Sequence, residues 1–336
     1  MTTGPDTAAP DRVVDPTATA RRFEAFEAYR GLAAVAVVVF HVYQFTGEPY
    51  AQKPPAGLVL HDLDTLVDLF FVLSAFLLTL PWVRSSRAAE RRSGRAYVVA
   101  RAVRILPLYW VAITVVWALR NGSFPGDWRD LLEHLTFTQV YDSKRIFYTI
   151  GPAWSLSVEV TFYAALLLAG IAIGRLRPGP RGALVAWTAF GVGLVATGLT
   201  WKAVEVADHV SYTRWAVWFG PLAKADVFGV GVLLAVAVAV LVDRGVTAPP
   251  AVTAGLRVAG LVAVVVCWEF RGPFGQPGDE WVHPLVAVAV ALVLAGSALA
   301  GVGSRYEAAL GSRVPATIGL VSYSTYLWHE PLLLLL

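Results

Sequence analysis

The apolar positions of this chain gather into nine long runs separated by short polar or arginine-rich stretches. The runs are Tyr29–Gly47, Leu63–Val83, Val103–Leu119, Ser155–Ile173, Ala183–Trp201, Asp226–Val242, Gly255–Phe270, His283–Gly301 and Thr317–Leu336. Most reach or approach the ~20 residues that a helix needs to cross a hydrocarbon core about 30 Å thick. They are continuous and rich in Ala, Val and Leu rather than alternating, which favours helices over a membrane barrel. The pattern therefore predicts an all-α membrane protein, a polytopic bundle of about nine to ten transmembrane helices. The segment Asp127–Ile150 is amphipathic and reads in two ways, as a piece lying in the interface or as one that dips in and returns. Met1–Ala20 is rich in Pro, Thr, Ala and Asp and predicts disorder. Residues 1–28 are accordingly expected to form a cytoplasmic N-terminal tail, and residues 29–336 a single transmembrane domain with no internal repeat. The tail lacks the apolar stretch of a cleavable signal, so the first run is expected to serve as its own insertion signal.

Composition strengthens this picture. The chain of 336 residues is 57% hydrophobic and 15% charged, against about 25% charged residues in soluble globules. The net charge of +3 is carried by arginine clusters, which indicates membrane topology rather than nucleic-acid affinity. Arg84, Arg87, Arg91, Arg92, Arg95, Arg101 and Arg104 flank the second and third runs, Arg175, Arg177 and Arg181 follow the fourth, and Arg305 and Arg313 follow the eighth. By the positive-inside rule these loops face the cytoplasm, and Arg21 and Arg22 place the N-terminus there too. The single cysteine, Cys267, excludes an intrachain disulfide and argues against a cysteine-based metal site; no metal site is expected. The final Pro331-Leu-Leu-Leu-Leu-Leu336 has no polar flank, so the natural frame is expected to continue beyond it.

Ionisable residues inside apolar runs are costly and default to function. Arg30 and His41 share the first run with ten residues between them. Eleven steps of about 100° return a helix nearly to its starting face, roughly 16 Å further along. The two side chains thus share a face at two depths. With spans alternating in direction, Arg30, Arg101 and Arg104 fall at the inner surface, while His41, Asp68, Glu159 and His329 fall deeper or in the outer half. Arg101 and Arg104 lie at i and i+3 on one face, suited either to bidentate phosphate binding or to anchoring at lipid headgroups. Ser155, Glu159 and Tyr163 share a face at i+4 spacing. Glu159 suits orienting a histidine, relaying a proton, or a structural bond between helices. Asp68 reads more readily as a helix-start charge. Trp328 and Tyr326, around His329, fit an interfacial aromatic belt equally well.

Taken together the strings resemble the acyltransferase-3 family of multi-pass membrane O-acyltransferases. The matching pieces are Tyr29-Arg-Gly-Leu-Ala-Ala with His41 at the Arg-x10-His spacing, Val67-Asp-Leu-Phe-Phe-Val-Leu-Ser-Ala-Phe76, Arg101-Ala-Val-Arg-Ile-Leu-Pro-Leu-Tyr-Trp110, Pro152-Ala-Trp-Ser-Leu-Ser-Val-Glu159 with Phe162-Tyr163, and Ser322-Tyr-Ser-Thr-Tyr-Leu-Trp-His329. They occur in the family's order. Tyr29 and Ala75, where the family often has other residues, are modest departures. The resemblance implies an acyl-coenzyme A donor used as a co-substrate, with no bound cofactor. It implies an acceptor hydroxyl on a sugar, a cell-envelope glycan or a small natural product. His41 would be catalytic, with Glu159 as its partner or relay. Arg30, Arg101 and Arg104 would bind or orient the donor, with Asp68 and His329 as further substrate-side candidates. The expectation is an O-acyltransferase of a bacterial plasma membrane with no nucleic-acid partner. The rival reading is a transporter or flippase using the same groups as a substrate or proton pathway.

Overall fold

The computed structural model describes residues 16–47, 56–123, 126–271, 277–301 and 304–335. Among the described residues thirteen α-helices follow one another: α1 (Pro16–Phe45), α2 (Ala56–Asp62), α3 (Val67–Arg87), α4 (Gly94–Arg120), α5 (Trp128–Leu135), α6 (Trp154–Leu176), α7 (Gly179–Ala207), α8 (Trp215–Phe219), α9 (Ala225–Asp243), α10 (Pro250–Glu269), α11 (Asp279–Ala298), α12 (Arg305–Leu310) and α13 (Arg313–Leu333). Among the described residues there is no strand, only an isolated bridge between Ala248 and Ala300. The protein is an all-α, multi-pass membrane protein. Eight segments among the described residues are long and apolar enough to cross a membrane, lying in α1, α2–α3, α4, α6, α7, α9, α10 and α11. The ninth expected run is α13, which is as long as a span but diluted by Ser322, Tyr323, Ser324, Thr325, His329 and Glu330.

The N-terminal boundary differs from the expectation. Helix α1 begins at Pro16, inside the segment expected to be a disordered tail. Proline suits the first helical turn, where its missing N–H costs nothing, and the alanines, arginines and glutamates that follow are strong helix formers. Residues 1–15 lie outside the described residues. The end of the chain, where a continuation was expected, is likewise outside what the structure addresses.

Helix packing follows from small residues. Helix α1 lies against α13, α9 is wedged between α3 and α7, and α10 pairs with α11. At the α1–α13 crossing a Cβ on Gly31 would stand 2.7 Å from the backbone nitrogen of Gly319, so neither helix tolerates a side chain there. Close backbone approach at small residues is the usual basis of helix association in lipid, where burial of apolar surface supplies little net drive. Aromatic rings fill the centre: Phe162 stacks on Phe228 at 4.3 Å and Phe71 lies 4.8 Å from Phe228. On α1, the exposed apolar residues Leu32, Val35, Val39 and Val42 fall on the face opposite Arg30 and His41 by the 100° step. Lipid thus takes one side of α1 and the protein interior the other.

The amphipathic segment before α6 folds back as a cap on the bundle. Asp127 caps α5 by accepting the Asp130 N–H at 3.1 Å. Tyr109 of α4 donates to the His134 carbonyl at 2.9 Å and stacks on Phe137 at 4.3 Å. Val140, Ile146 and Ile150 are fully buried beneath it. The cap ends in a short 3-10 turn, Gly151–Ala153, which leads directly into the Trp154 motif.

Candidate active site

Two polar cavities lie along the inner face of α1. The smaller, of about 40 Å³, is lined by Arg30, Ser155, Glu159, Tyr323 and Tyr326 together with Phe70, Phe71 and Leu156. Of the arginines named from the sequence, Arg30 lines this cavity, while Arg104 and Arg101 are tied to the same end through Glu27 and Glu159. Arg30 donates to both carboxylate oxygens of Glu27, at 3.1 and 3.3 Å, and Arg104 lies 3.8 Å from the same carboxylate. The Glu159 carboxylate accepts from the Ser74 hydroxyl and lies within electrostatic reach of Arg30 and Arg101. Glu159 therefore belongs to the arginine end and not beside His41, as expected for a partner of that histidine. The reason is depth: Glu159 sits on α6 level with the turn of α1 that carries Arg30.

The larger cavity, of about 330 Å³, is a chamber with polar groups set into aromatic walls. His41, Gln44, Asp64, Lys224, His283 and Glu330 supply the polar groups, and Phe40, Phe147, Trp154, Trp215, Phe219 and Tyr326 the rings. The partner of His41 is His329. Nδ1 of His41 lies 2.8 Å from the Val37 carbonyl, Nδ1 of His329 lies 2.6 Å from the Tyr326 carbonyl, and Nε2 of His329 lies 3.2 Å from Nδ1 of His41. Carbonyl oxygens only accept, so both Nδ1 atoms carry protons, as assigned from these partners. Nε2 of His329 then accepts from Nδ1–H of His41. Nε2 of His41 keeps its lone pair on a ring that lines the chamber, as a general base requires.

Tyr326 divides the two cavities and lines both. Its hydroxyl bonds Ser155 Oγ at 2.8 Å and donates to the Pro152 carbonyl at 3.1 Å, and its ring lies 5.5 Å from that of Phe70. Glu330 of α13 accepts the N–H of Gly151, which fixes the cap's last turn to the same helix.

Asp68, named with the donor-side residues, is fully buried and accepts from Nδ1 of His283 at 2.8 Å. The pairing of Asp68 with His283 and the chamber positions of Lys224 and Glu330 were missed from the sequence, and Tyr326 was noted there only as fitting an interfacial aromatic belt. His283 carried a signal, being a histidine at the edge of an apolar run, and Glu330 follows His329 directly. Lys224 carried none, because a lysine just before a span reads as an interfacial anchor. Behind the chamber, Arg271 bonds Asp62 at 3.0 Å, Asp64 at 2.5 and 2.9 Å, and Asp279 at 2.7 Å. Burial works against its charge, but Asp64 and Asp279 hold the guanidinium well above the ordinary arginine range. Among the described residues no cluster of metal-ligating side chains occurs.

The acyltransferase-3 family, described as an acyltransferase domain, matches residues 23–336. The chain belongs to this family. Acyltransferase-3 membership makes the protein a multi-pass membrane O-acyltransferase, and the two cavities are read on that basis. It is 29% identical over 273 residues to exopolysaccharide production protein ExoZ of Rhizobium meliloti (strain 1021), covering 78% of this chain and 74% of that protein. It is also 29% identical over 164 residues to nodulation protein 10 of Rhizobium leguminosarum bv. viciae, covering 42% of each. No solved structure matches the chain.

Proposed function

We propose that this acyltransferase moves a short acyl group from acyl-coenzyme A, held at the arginine end, to a hydroxyl of a saccharide seated in the chamber. The observation that carries the reading is the free lone pair of His41 Nε2 in the chamber, on the same face of α1 as Arg30. The donor is polyanionic, and Arg30, Arg101 and Arg104 offer it forked guanidinium contacts. Arg30 and His41 are separated by roughly 16 Å of helix rise, so the phosphates stay at the arginines while the pantetheine arm threads past Tyr326. The chamber's rings and its Gln44, Asp64 and Glu330 suit a polyhydroxylated acceptor, whose carbon–hydrogen faces stack on aromatics and whose hydroxyls donate to carboxylates. The relative named for exopolysaccharide production supports a saccharide over a small natural product.

In the reaction His41 Nε2 takes the acceptor hydroxyl proton as its oxygen bonds the acyl carbon. The carbonyl electron pair moves onto the carbonyl oxygen. Collapse re-forms C=O and breaks the C–S bond, and the departing sulfur recovers the proton from His41. His329 accepts the Nδ1–H throughout and so stabilises the imidazolium. Glu159, remote from His41, acts on the arginine layer as a positioning residue. The arginine end faces the cytoplasm of a bacterium, where the donor is made, and the chamber opens toward the outer side of the plasma membrane. The test supplies detergent-purified protein with labelled acetyl-coenzyme A and a panel of saccharides. Free thiol and labelled ester should appear together and only with an acceptor. Solute movement in proteoliposomes without thioester consumption would return the transporter reading.

A further inference from the structure

Two buried lysines stand close to the chamber, and they differ in one respect. Lys202 on α7 is closed in an ion pair with Asp226 of α9. Lys224, immediately before α9, is only 2% exposed and lines the chamber, and among the described residues its ammonium makes no hydrogen bond or ion pair. Its neighbours are ring faces: Nζ lies 5.5 Å from the centroid of Phe219 and 5.9 Å from that of Trp154. Asp68 is near enough to act on it electrostatically, but one Asp68 oxygen is taken by His283 and the other has no partner. A buried ammonium with three unused donors is costly. The ring faces and Asp68 offset part of that cost, and an oxygen acceptor entering the chamber would take up the unused donors.

The acceptor's charge follows from the surroundings. A ligand bearing a permanent carboxylate would meet Asp64 and Glu330, which line the same chamber, with Asp68 behind. A charge that appears only transiently, at one atom next to Lys224, avoids that repulsion. Acyl transfer produces such a charge. A donor aimed at where that charge develops is the usual strongest aid to this chemistry.

We propose that Lys224 is the electrophile of the reaction, donating to the thioester carbonyl oxygen as it becomes an oxyanion, and that the Asp68–His283 pair is a positioning unit that keeps this ammonium charged and aimed. This rests on the acyl-transfer reading of the chamber given above. The step adds no reactant: the acceptor oxygen–carbon bond forms as the carbonyl pair moves to oxygen, Lys224 N–H bonds that oxygen, and the bond is released when C=O re-forms and C–S breaks. His41 and Lys224 approach the acyl carbon from different walls, one handling the proton and the other the charge.

The experiment measures acyl transfer by purified Lys224→Met, Lys224→Arg and the double variant Asp68→Asn/Lys224→Met, beside wild type and Asp68→Asn alone. Lys224→Met should lower kcat by about 10²–10³-fold, the usual loss for one oxyanion donor, with KM for donor and acceptor nearly unchanged. Lys224→Arg should recover part of the loss. The double variant removes a cation and an anion together, so it keeps its fold even if Lys224→Met does not. It should remain at least tenfold slower than Asp68→Asn. If the double variant equals Asp68→Asn, Lys224 is only a structural countercharge and the proposal is overturned. A loss confined to the acceptor KM overturns it as well, because it makes Lys224 a ground-state contact. Wild-type protein that transfers no acyl group to any acceptor strikes instead at the underlying reading.

Discussion

The His41–His329 pair makes a graded prediction. Substituting His41 by alanine removes the chamber nitrogen that stands on the same helix face as Arg30 and is assigned as base to the acceptor hydroxyl. Loss of a general base costs about 10²–10⁴-fold in rate, or roughly 3–5 kcal/mol at about 1.4 kcal/mol per tenfold. His329→Ala should cost less. It deletes the acceptor lying 3.2 Å from Nδ1–H, while the Val37 carbonyl at 2.8 Å keeps the tautomer in place. What is lost is one hydrogen bond to a ring that becomes cationic during the reaction, about 1.5–3 kcal/mol, or roughly ten- to hundredfold in kcat. Because His329 acts only through His41, the double variant should match His41→Ala rather than multiply the two losses. The assay is single-turnover transfer from labelled acetyl-coenzyme A in detergent, with variants matched for monodisperse yield. Wild-type turnover in His41→Ala removes it from the mechanism, and multiplicative losses in the double variant show that His329 acts independently.

Other consequences follow from the same geometry. Arg30→Ala and Arg104→Ala should raise the donor KM with little change in kcat, since a phosphate contact held equally in ground and transition states is uniform binding; initial-rate kinetics over donor concentration decide it. Gly319→Ala should lower the melting temperature, because the new Cβ runs into the backbone of Glu27 on α1 and overpacking typically costs about 1–3 kcal/mol; fluorescence-monitored melting in detergent measures it, and an unchanged midpoint contradicts the close α1–α13 crossing. Arg271→Gln should destabilise by about 3–5 kcal/mol by stranding buried carboxylates, with partial rescue from a second change, Asp64→Asn. A cysteine introduced at the exposed Ser93 should resist impermeant thiol reagents in intact cells; labelling from outside would invert the proposed orientation.

The fold class was legible in the sequence because a membrane span has to be long, continuous and apolar whatever its neighbours are, and that requirement is local. The shared face of Arg30 and His41 was legible for a similar reason, since the helix period alone fixes it. The segment 127–150 stayed ambiguous because its amphipathic pattern fits any boundary between apolar and polar surroundings; only burial of Val140, Ile146 and Ile150 against the bundle made it a cap. The start of α1 at Pro16 was misread because a polar, proline-containing stretch resembles a tail until a long helix propagates back through it. Partnership was the least legible property. Glu159 and His41 lie on different helices, and spacing within each says nothing of their relative depth. His329 meeting His41, Asp68 holding His283, and Lys224 left open to the chamber depend on how α1, α3, α9, α11 and α13 cross. A sequence fixes which side chains share one helix face, but contacts between helices depend on crossing points such as Gly31 on Gly319, where two backbones settle at the distance their smallest residues permit.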